Sequence, residues 1–356
     1  YLKTKKRGEY KLAVLTFGKN KGEKMKKSQI ILILVLLLTF SLIVSGSILA
    51  ADHVMKIGHS QSIKTPRHQA CLYFKTLVEK ETDGRIEVEI YPSNQLGTEA
   101  EMLESVKLGA LQATLGGQFE AASPKLLIYT MPFLFEDIRS VHNIIRGPIG
   151  EQIAAAAEDN GIKILATGVA GCLRNFSNNK RAIQSPADME GLKMRTPPID
   201  SIIKTIEAIG GNPVSVPYAE LYMALKTGVA DGQENPFTNM VDKKLYEVQD
   251  YLTIVNYQFH PSPLYSSLAW YNSLDSELQV ILDSCAEKMM VYGDTLNLEA
   301  TDESLAVLEK EMEVNYLTDQ QRQLFIDKAQ AVYDYYIEQG FFTQAEIDEI
   351  REAASN

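Results

Sequence analysis

Alternation between strand and helix patterns from about residue 55 to residue 225 limits the fold more than any other feature of the chain. Residues 55–59 and 86–90 have the two-residue apolar period of strands, and residues 66–82 between them have a helical period. Pro66 at the predicted helix start and Gly84 just past its end are typical boundary residues. This order predicts an α/β architecture with mostly parallel sheet and helices on both faces.

The same alternation returns in the second half of the chain. Residues 193–196 and 214–216 are predicted strands on either side of a helix at 200–209, and residues 275–351 form a long, acidic, helical stretch. About 300 residues of such sequence favour two domains rather than one. Ligands of α/β folds bind beyond the carboxyl ends of the strands, often between domains.

The first fifty residues carry a targeting pattern. Residues 30–44 are an unbroken apolar run that follows three lysines and precedes small residues, which predicts a secretory signal peptide over 25–51 with cleavage near Ala51. The run is shorter than the roughly 20 residues that span a membrane, although an uncleaved anchor remains an alternative. Residues 1–24 are interpreted as translation upstream of a start at Met25. We therefore expect an exported, extracytoplasmic protein.

Charge is distributed unevenly along the sequence. Residues 1–50 hold ten of the 35 Lys and Arg and two of the 46 acidic residues, which leaves 25 and 44, and a formal charge of −19, for residues 51–356. Nucleic acid and anionic membrane surfaces repel so acidic a body, so we expect no nucleic-acid partner. An anionic ligand would need a few well-placed arginines.

No motif for catalysis or metal binding is present in the sequence. The five histidines lack metal-protease spacing, and no CxxC, GxSxG, GxGxxG or P-loop pattern occurs. We expect neither metal nor cofactor. Cys71, Cys172 and Cys285 are widely separated and allow at most one internal disulfide; Cys71 and Cys285 fall in helical patterns and are interpreted as buried small apolar residues.

Three segments carry a family resemblance. They are GCLRNFSNNKR at 171–181, PADMEGLKMR at 186–195 and ALKTGVADGQENP at 224–236, with support from YPSNQLG, MPFLF and PYAELY beginning at Tyr91, Met131 and Pro217. In this order and spacing, over roughly residues 53–345, they resemble the substrate-binding proteins of tripartite ATP-independent periplasmic (TRAP) transporters. The resemblance implies a two-domain periplasmic-binding-protein-like fold with a hinged cleft and a long helix, supplied by 275–312, that spans both domains.

The resemblance also assigns roles to particular residues. Arg195 matches the arginine that grips the ligand carboxylate with both prongs of its guanidinium, Arg174 a second arginine on the same acid, and Asn235 an asparagine on the carboxylate's other side. A planar, permanently charged fork suits a carboxylate.

Three weaker assignments follow from the same resemblance. Tyr218 stands where an aromatic side chain packs on the ligand. His59 lies where the end of the first strand faces the cleft, and Gln118 lies on the loop after Leu115 and Gly116. The sequence departs from the family pattern at two places: Gly117 replaces a frequent cleft acid, and Tyr257 replaces a common histidine.

The resemblance implies a monomeric protein that captures a small organic acid and delivers it to the small and large membrane subunits of a TRAP transporter, without chemistry on the ligand. We favour a monocarboxylate sugar acid, such as a uronate or sialate, over a C4-dicarboxylate. The expected domains are 52–171 with 260–297, and 172–259 with 298–356. Alternatives are a secreted enzyme acting on acidic sugars, with Tyr257 or His59 as its base, and a receptor for an ATP-driven transporter or a sensor.

Overall fold

The computed structural model describes residues 51–169, 171 and 173–355. The segment interpreted as upstream translation, the predicted signal peptide up to residue 50, and Cys172 lie outside the described residues. Within those described ranges, no helix is both long enough and apolar enough to cross a membrane.

Two sheets and a set of helices make up the described chain. The strands in those ranges are β1 His53–His59, β2 Ile86–Tyr91, β3 Ala113–Leu115, β4 Ile162–Val169, β5 Arg174–Asn178, β6 Lys193–Thr196, β7 Asn212–Ser215, β8 Gly232–Asn235, β9 Tyr251–Gln258, β10 Pro261–Ser267 and β11 Glu313–Tyr316. The α-helices in the same ranges are α1 Pro66–Glu81, α2 Glu99–Lys107, α3 Phe119–Ala122, α4 Ile138–Ile145, α5 Pro148–Ala155, α6 Asp200–Ala208, α7 Leu221–Lys226, α8 Phe237–Asp242, α9 Leu268–Tyr271, α10 Ser276–Glu311, α11 Asp319–Glu338 and α12 Gln344–Ser355.

Both sheets mix parallel and antiparallel pairs. The first has the strand order β2-β1-β3-β10-β4, in which β10 runs antiparallel to both of its neighbours. The second has the order β11-β9-β5-β8-β6-β7, in which β5 runs antiparallel to both of its neighbours. The α/β fold class is confirmed, and so is the prediction of mostly parallel sheets, because within the described ranges β10 and β5 alone run against the other strands of their sheets.

The antiparallel strands are those at which the chain passes from one sheet to the other. Residues 259–260 alone separate β9 from β10, and residues 170–173 separate β4 from β5. Parallel pairing arises from βαβ units, whose crossover is a dozen or more residues long and usually a helix. Strands β5 and β10 arrive directly from the other sheet and do not belong to such a unit. They are therefore free to run antiparallel to their neighbours.

Local sequence signals set the helix starts near the cleft. Thr65 caps α1 by accepting from the backbone N–H of His68, and Pro66 occupies the first helical position. Thr98 and Glu101 form a capping box at the start of α2. These caps fix the two turns that carry Arg67 and Glu99.

Helix α10 joins the two halves of the molecule. Its 36 residues span about 54 Å at 1.5 Å per residue. It packs against α1 and β4 beside the first sheet, and against α8 and β11 beside the second. The long helix expected over 275–312 is confirmed. The rest of the stretch to residue 351 is helical as predicted except for strand β11, which follows α10 and pairs in parallel with β9.

Separate apolar clusters lie against the two sheets. Cys71 and Cys285 are buried, unoxidised neighbours in the core between the first sheet, α1 and α10, as the sequence predicts. The last helix, α12, packs against α4 through Ile347 and Ile350. Helix α12 therefore lies beside α4, which precedes the first crossing between the sheets.

Candidate ligand-binding site

A small polar cavity lies where loops from the two sheets face each other. It encloses about 330 Å³ of atom-free space, part of it open to solvent. Its lining residues are Ser60, Gln61, Arg67, Glu99, Arg174, Arg195, Pro197, Tyr218, Asn235, Asn239 and His260. The structure thus brings four of the predicted site residues together: Arg174, Arg195, Asn235 and Tyr218.

Arg195 is a buried cation without a counter-ion in the described part of the chain. It lies on β6, its side chain is 1% exposed, and its Nε donates to the carbonyl of Val216 at 2.8 Å. Its Nη2 is buried and has no hydrogen-bond partner among the described residues. Burial lowers the pKa of Arg195 to about 10, against the opposing charge of Glu234, so it remains protonated at neutral pH. A charge left in this state strongly favours an anionic ligand.

Arg174, by contrast, already has its anion. Its Nε and Nη2 hold the carboxylate of Glu234 as a two-pronged pair, with Nη2 at 2.7 Å from Oε1, and both side chains are buried. Tyr257 donates its hydroxyl to the same carboxylate at 2.5 Å. Burial alone would lower the pKa of Arg174, but the charge and hydrogen bonds of Glu234 outweigh burial and raise it. Arg174 therefore lines the cavity as half of a neutral pair.

A chain of side-chain amides crosses the cavity. Asn239 donates to Oδ1 of Asn235 at 3.1 Å, and Gln61, which follows β1 of the first sheet, donates to Oδ1 of Asn239 at 2.8 Å. Asn235 in turn donates to Gln233 at 2.6 Å. The chain links strand ends of both sheets and keeps amide groups at the cavity surface.

The first-sheet wall holds a second ion pair. Arg67 and Glu99 are 3.2 Å apart, and the hydroxyl of Ser60 donates to Glu99 at 2.6 Å. Three guanidinium groups therefore line the cavity, those of Arg67, Arg174 and Arg195, and two carboxylates pair with them, those of Glu99 and Glu234. One positive charge, that of Arg195, is left over.

Tyr218 lines the cavity, and Gln118 lies beside it. The Tyr218 ring lies under the ammonium of Lys243, 4.6 Å from the ring centroid. Burial raises the pKa of Tyr218 well above its usual value, and the charge of Asp242 adds to this. Gln118 lines an adjoining recess that also includes Asn94, Pro197 and Tyr218, rather than the cavity itself.

His59 does not line the cavity. It is fully buried with its Nε2 at 3.1 Å from Nδ1 of His68. Burial lowers its pKa to about 3, with the charge of Arg67 acting in the same direction. The residues directly after His59, namely Ser60 and Gln61, form the wall instead.

Seven lining residues escaped the sequence predictions: Ser60, Gln61, Arg67, Glu99, Pro197, Asn239 and His260. A usable signal existed for most of them. Ser60, Gln61 and Arg67 follow the end of β1, Glu99 follows β2, and Asn239 follows β8. In α/β folds the segments after parallel strands lie at the ligand-binding edge of the sheet.

Comparison with known proteins places the chain in a family. Residues 57–339 match the family model described as bacterial extracellular solute-binding protein, family 7, and the chain belongs to that family. The 2,3-diketo-L-gulonate-binding periplasmic protein of Escherichia coli is 30% identical over 297 residues, which cover 81% of this chain and 90% of that protein.

Solved structures agree with this assignment. A TRAP periplasmic solute-binding protein from Haemophilus influenzae with bound L-gulonate has a TM-score of 0.81 and 30% identity, over 85% of this chain and 99% of that one. A TRAP periplasmic solute-binding protein from Shewanella oneidensis with bound succinate has a TM-score of 0.80 and 26% identity, over 85% and 99% of the two chains. The family is one of solute-binding proteins rather than enzymes, and its members serve TRAP transporters.

Proposed function

We propose that this chain binds a small organic acid with a single carboxylate outside the cytoplasm and delivers it to the small and large membrane subunits of a TRAP transporter. The observation that carries the proposal is the buried guanidinium of Arg195 at the cavity wall, whose Nη2 has no hydrogen-bond partner among the described residues. A carboxylate that meets this fork supplies both the missing charge and the missing hydrogen-bond acceptor.

The charges of the cavity favour a monocarboxylate. Two of its three arginines are neutralised by Glu99 and Glu234, so only one ligand charge finds a free partner. A second carboxylate would face Glu99 on the first-sheet wall and be repelled. This supports a monocarboxylate over a C4-dicarboxylate.

The uncharged part of the wall favours a hydroxylated ligand. Ser60, Gln61 and Asn239 present hydroxyl and amide groups, and Glu99 is a hydrogen-bond acceptor that suits hydroxyl donors. A sugar acid such as a uronate or sialate carries hydroxyls for these groups. The relative that binds 2,3-diketo-L-gulonate and the neighbour with bound L-gulonate support this class.

We also propose that no chemistry is performed on the ligand. Burial raises the pKa of Tyr257 well above its usual value, the Glu234 charge adds to this, and the hydroxyl is already donated to Glu234. Tyr257 therefore does not serve as a base. His59 lies outside the cavity wall.

We propose a hinged, two-domain, monomeric molecule. The strands of the first sheet fall within 52–171 and 260–297, and those of the second within 172–259 and 298–356, which supports the division expected from the sequence. The packing of α12 on α4 leads us to assign that helix to the first domain.

Thermal unfolding with a panel of acids tests the ligand class. A ligand bound by the native state alone adds about 2.7 kcal/mol at 100 times its Kd. We expect L-gulonate, D-glucuronate or N-acetylneuraminate to raise the Tm by several degrees, and neutral D-glucose to leave it unchanged. An equal shift with D-glucose would overturn the carboxylate anchor, and a larger shift with succinate would overturn the preference for one carboxylate.

A further inference from the structure

His260 occupies the shorter of the two strand crossings and lines the cavity. It is one of the two residues between β9 and β10, and its side chain is 9% exposed. No part of the family resemblance assigns it a role. Its position places an imidazole between the two sheets, beside the ligand space.

Two neighbours fix the orientation of this imidazole. Nδ1 lies 3.1 Å from Nη1 of Arg174. A guanidinium group only donates, so Nδ1 is the acceptor and the proton of the neutral ring is on Nε2. The ring of Phe119 packs edge-on against it, with 5.0 Å between centroids. Burial and the charges of Arg174, Arg67 and Arg195 lower the pKa of His260 well below its usual value, in keeping with a neutral ring.

Gly117 leaves the space that Nε2 occupies. A Cβ added at Gly117 would lie 2.2 Å from Nε2 of His260, closer than any tolerable contact. The backbone of Gly117 is not in the left-handed region, so its conformation would accept any residue. What a glycine provides here is therefore room for the imidazole. Among the described side chains and backbone groups, none pairs with Nε2.

We propose that His260 determines specificity by donating its Nε2–H to a hydroxyl or keto oxygen of the bound acid, and that Gly117 is the residue that makes this contact possible. The inference rests on the proposed function, since it concerns the same cavity. In this chain the Nε2–H of His260 would be a hydrogen-bond donor to the ligand. The family resemblance expects an acidic side chain, a hydrogen-bond acceptor, at position 117 instead.

A matched pair of substitutions separates this role from a merely structural one. The amide of His260→Gln reaches the position of Nε2, whereas the amide of His260→Asn reaches that of Nδ1 and can still accept from Arg174. Calorimetric titration with L-gulonate and D-glucuronate should give the Asn variant at least tenfold weaker binding of the better acid, and the Gln variant a smaller loss. Wild-type affinity in the Asn variant would show that His260 only positions Arg174, and would overturn the inference.

A double-mutant cycle tests the part played by Gly117. Gly117→Ala should weaken binding at least tenfold in the wild-type background and less than twofold in the His260→Ala background, where the clash is gone. Equal losses in both backgrounds would overturn the coupling. In ¹⁵N-histidine-labelled protein, the Nε2 resonance of His260 should move when L-gulonate binds.

Failure of this inference is distinguishable from failure of the proposed function. If the wild type binds none of the acids, the proposed function falls, and the inference with it. If the wild type binds and Arg195→Ala does not, while His260→Asn binds normally, only the role of His260 is wrong.

Discussion

The carboxylate of Asp294, on the long helix α10, accepts a hydrogen bond at 2.8 Å from the backbone N–H of Val169, the last residue of β4. Asn297, one turn further along the helix, donates to the carbonyl of the same residue at 2.9 Å. The helix thus holds both backbone groups of Val169 immediately before the chain leaves the first sheet. Asp294 also binds Arg146 and lies 2.9 Å from His142.

The hydrogen bonds of Asp294 and Asn297 to Val169, which we call the Val169 clamp, are expected to stabilise the fold. Asp294→Ala leaves a buried backbone N–H and the charge of Arg146 without partners, so the free energy of unfolding should fall by about 2–4 kcal/mol. Asp302→Ala, at an exposed position of the same helix, should change it by less than about 0.5 kcal/mol. Urea denaturation measures both. An equal effect of the two substitutions on the free energy of unfolding would contradict a stabilising role for the Val169 clamp.

Arg195 should dominate ligand affinity. Removing one partner of a buried ion pair costs about 3–5 kcal/mol, so Arg195→Ala should weaken binding of the best acid at least a hundredfold. Arg195→Lys keeps the charge without the fork and should recover only part of the affinity. Arg139→Ala, an exposed arginine, is the control and should change affinity by less than about 1 kcal/mol. Calorimetry on the four proteins decides the point, and an unchanged Kd for Arg195→Ala would be incompatible with the anchor.

Glu99 should set the preference for one carboxylate. Glu99→Gln removes the negative charge of the first-sheet wall and releases Arg67, so the cavity gains a second free guanidinium. We expect the affinity for succinate, relative to that for L-gulonate, to rise at least tenfold, since like-charge contacts cost several kcal/mol. Glu104→Gln, exposed on the same helix, should leave the ratio unchanged. A ratio that stays constant in Glu99→Gln would show that charge balance does not select the ligand.

Acid should destabilise the protein through His59. Its pKa in the folded state is lowered to about 3 by burial, against an ordinary value of 6.5. Between these values the unfolded chain binds the extra proton and the native state does not, so stability falls as pH decreases. The contribution is complete above pH 6.5, about 2 kcal/mol smaller at pH 5, and lost near pH 3.

Denaturation at pH 7 and pH 5 measures this effect. The drop in the free energy of unfolding between the two should be about 2 kcal/mol smaller in His59→Gln than in the wild type. His53→Gln, at the start of the same strand, should keep the wild-type drop. A wild-type pH slope in His59→Gln would contradict the burial argument.

Prediction from sequence succeeded where a signal is local. The helix that starts at Pro66 and the strand carrying Arg195 depend on neighbouring residues, and both are found as predicted. Strand β11 was missed because it lies in an acidic stretch next to two long helices. Its identity as a strand comes from pairing with β9, about sixty residues away.

The same distinction between local and long-range signals applies to the residues of the site. Arg174, Arg195, Asn235 and Tyr218 were placed in it by motif, and the structure brings them to one cavity. The pairing of Arg174 with Glu234 was not foreseeable, because it depends on the register that sets Phe176 of β5 opposite Glu234. His59 was expected one position too early: its side chain is buried beneath the wall that Ser60 and Gln61 form.

The two crossings between the sheets lie side by side. Val169 pairs with Pro261 at the end of the first sheet, and Arg174 pairs with Gln258 at the start of the second. The strand ends that flank the crossings therefore connect the two sheets at one narrow place, and helix α10, which holds Val169 there, is a further connection between them. In the hinged molecule that we propose, closure about this place brings Gln61 to Asn239 and sets the first-sheet wall opposite Arg195.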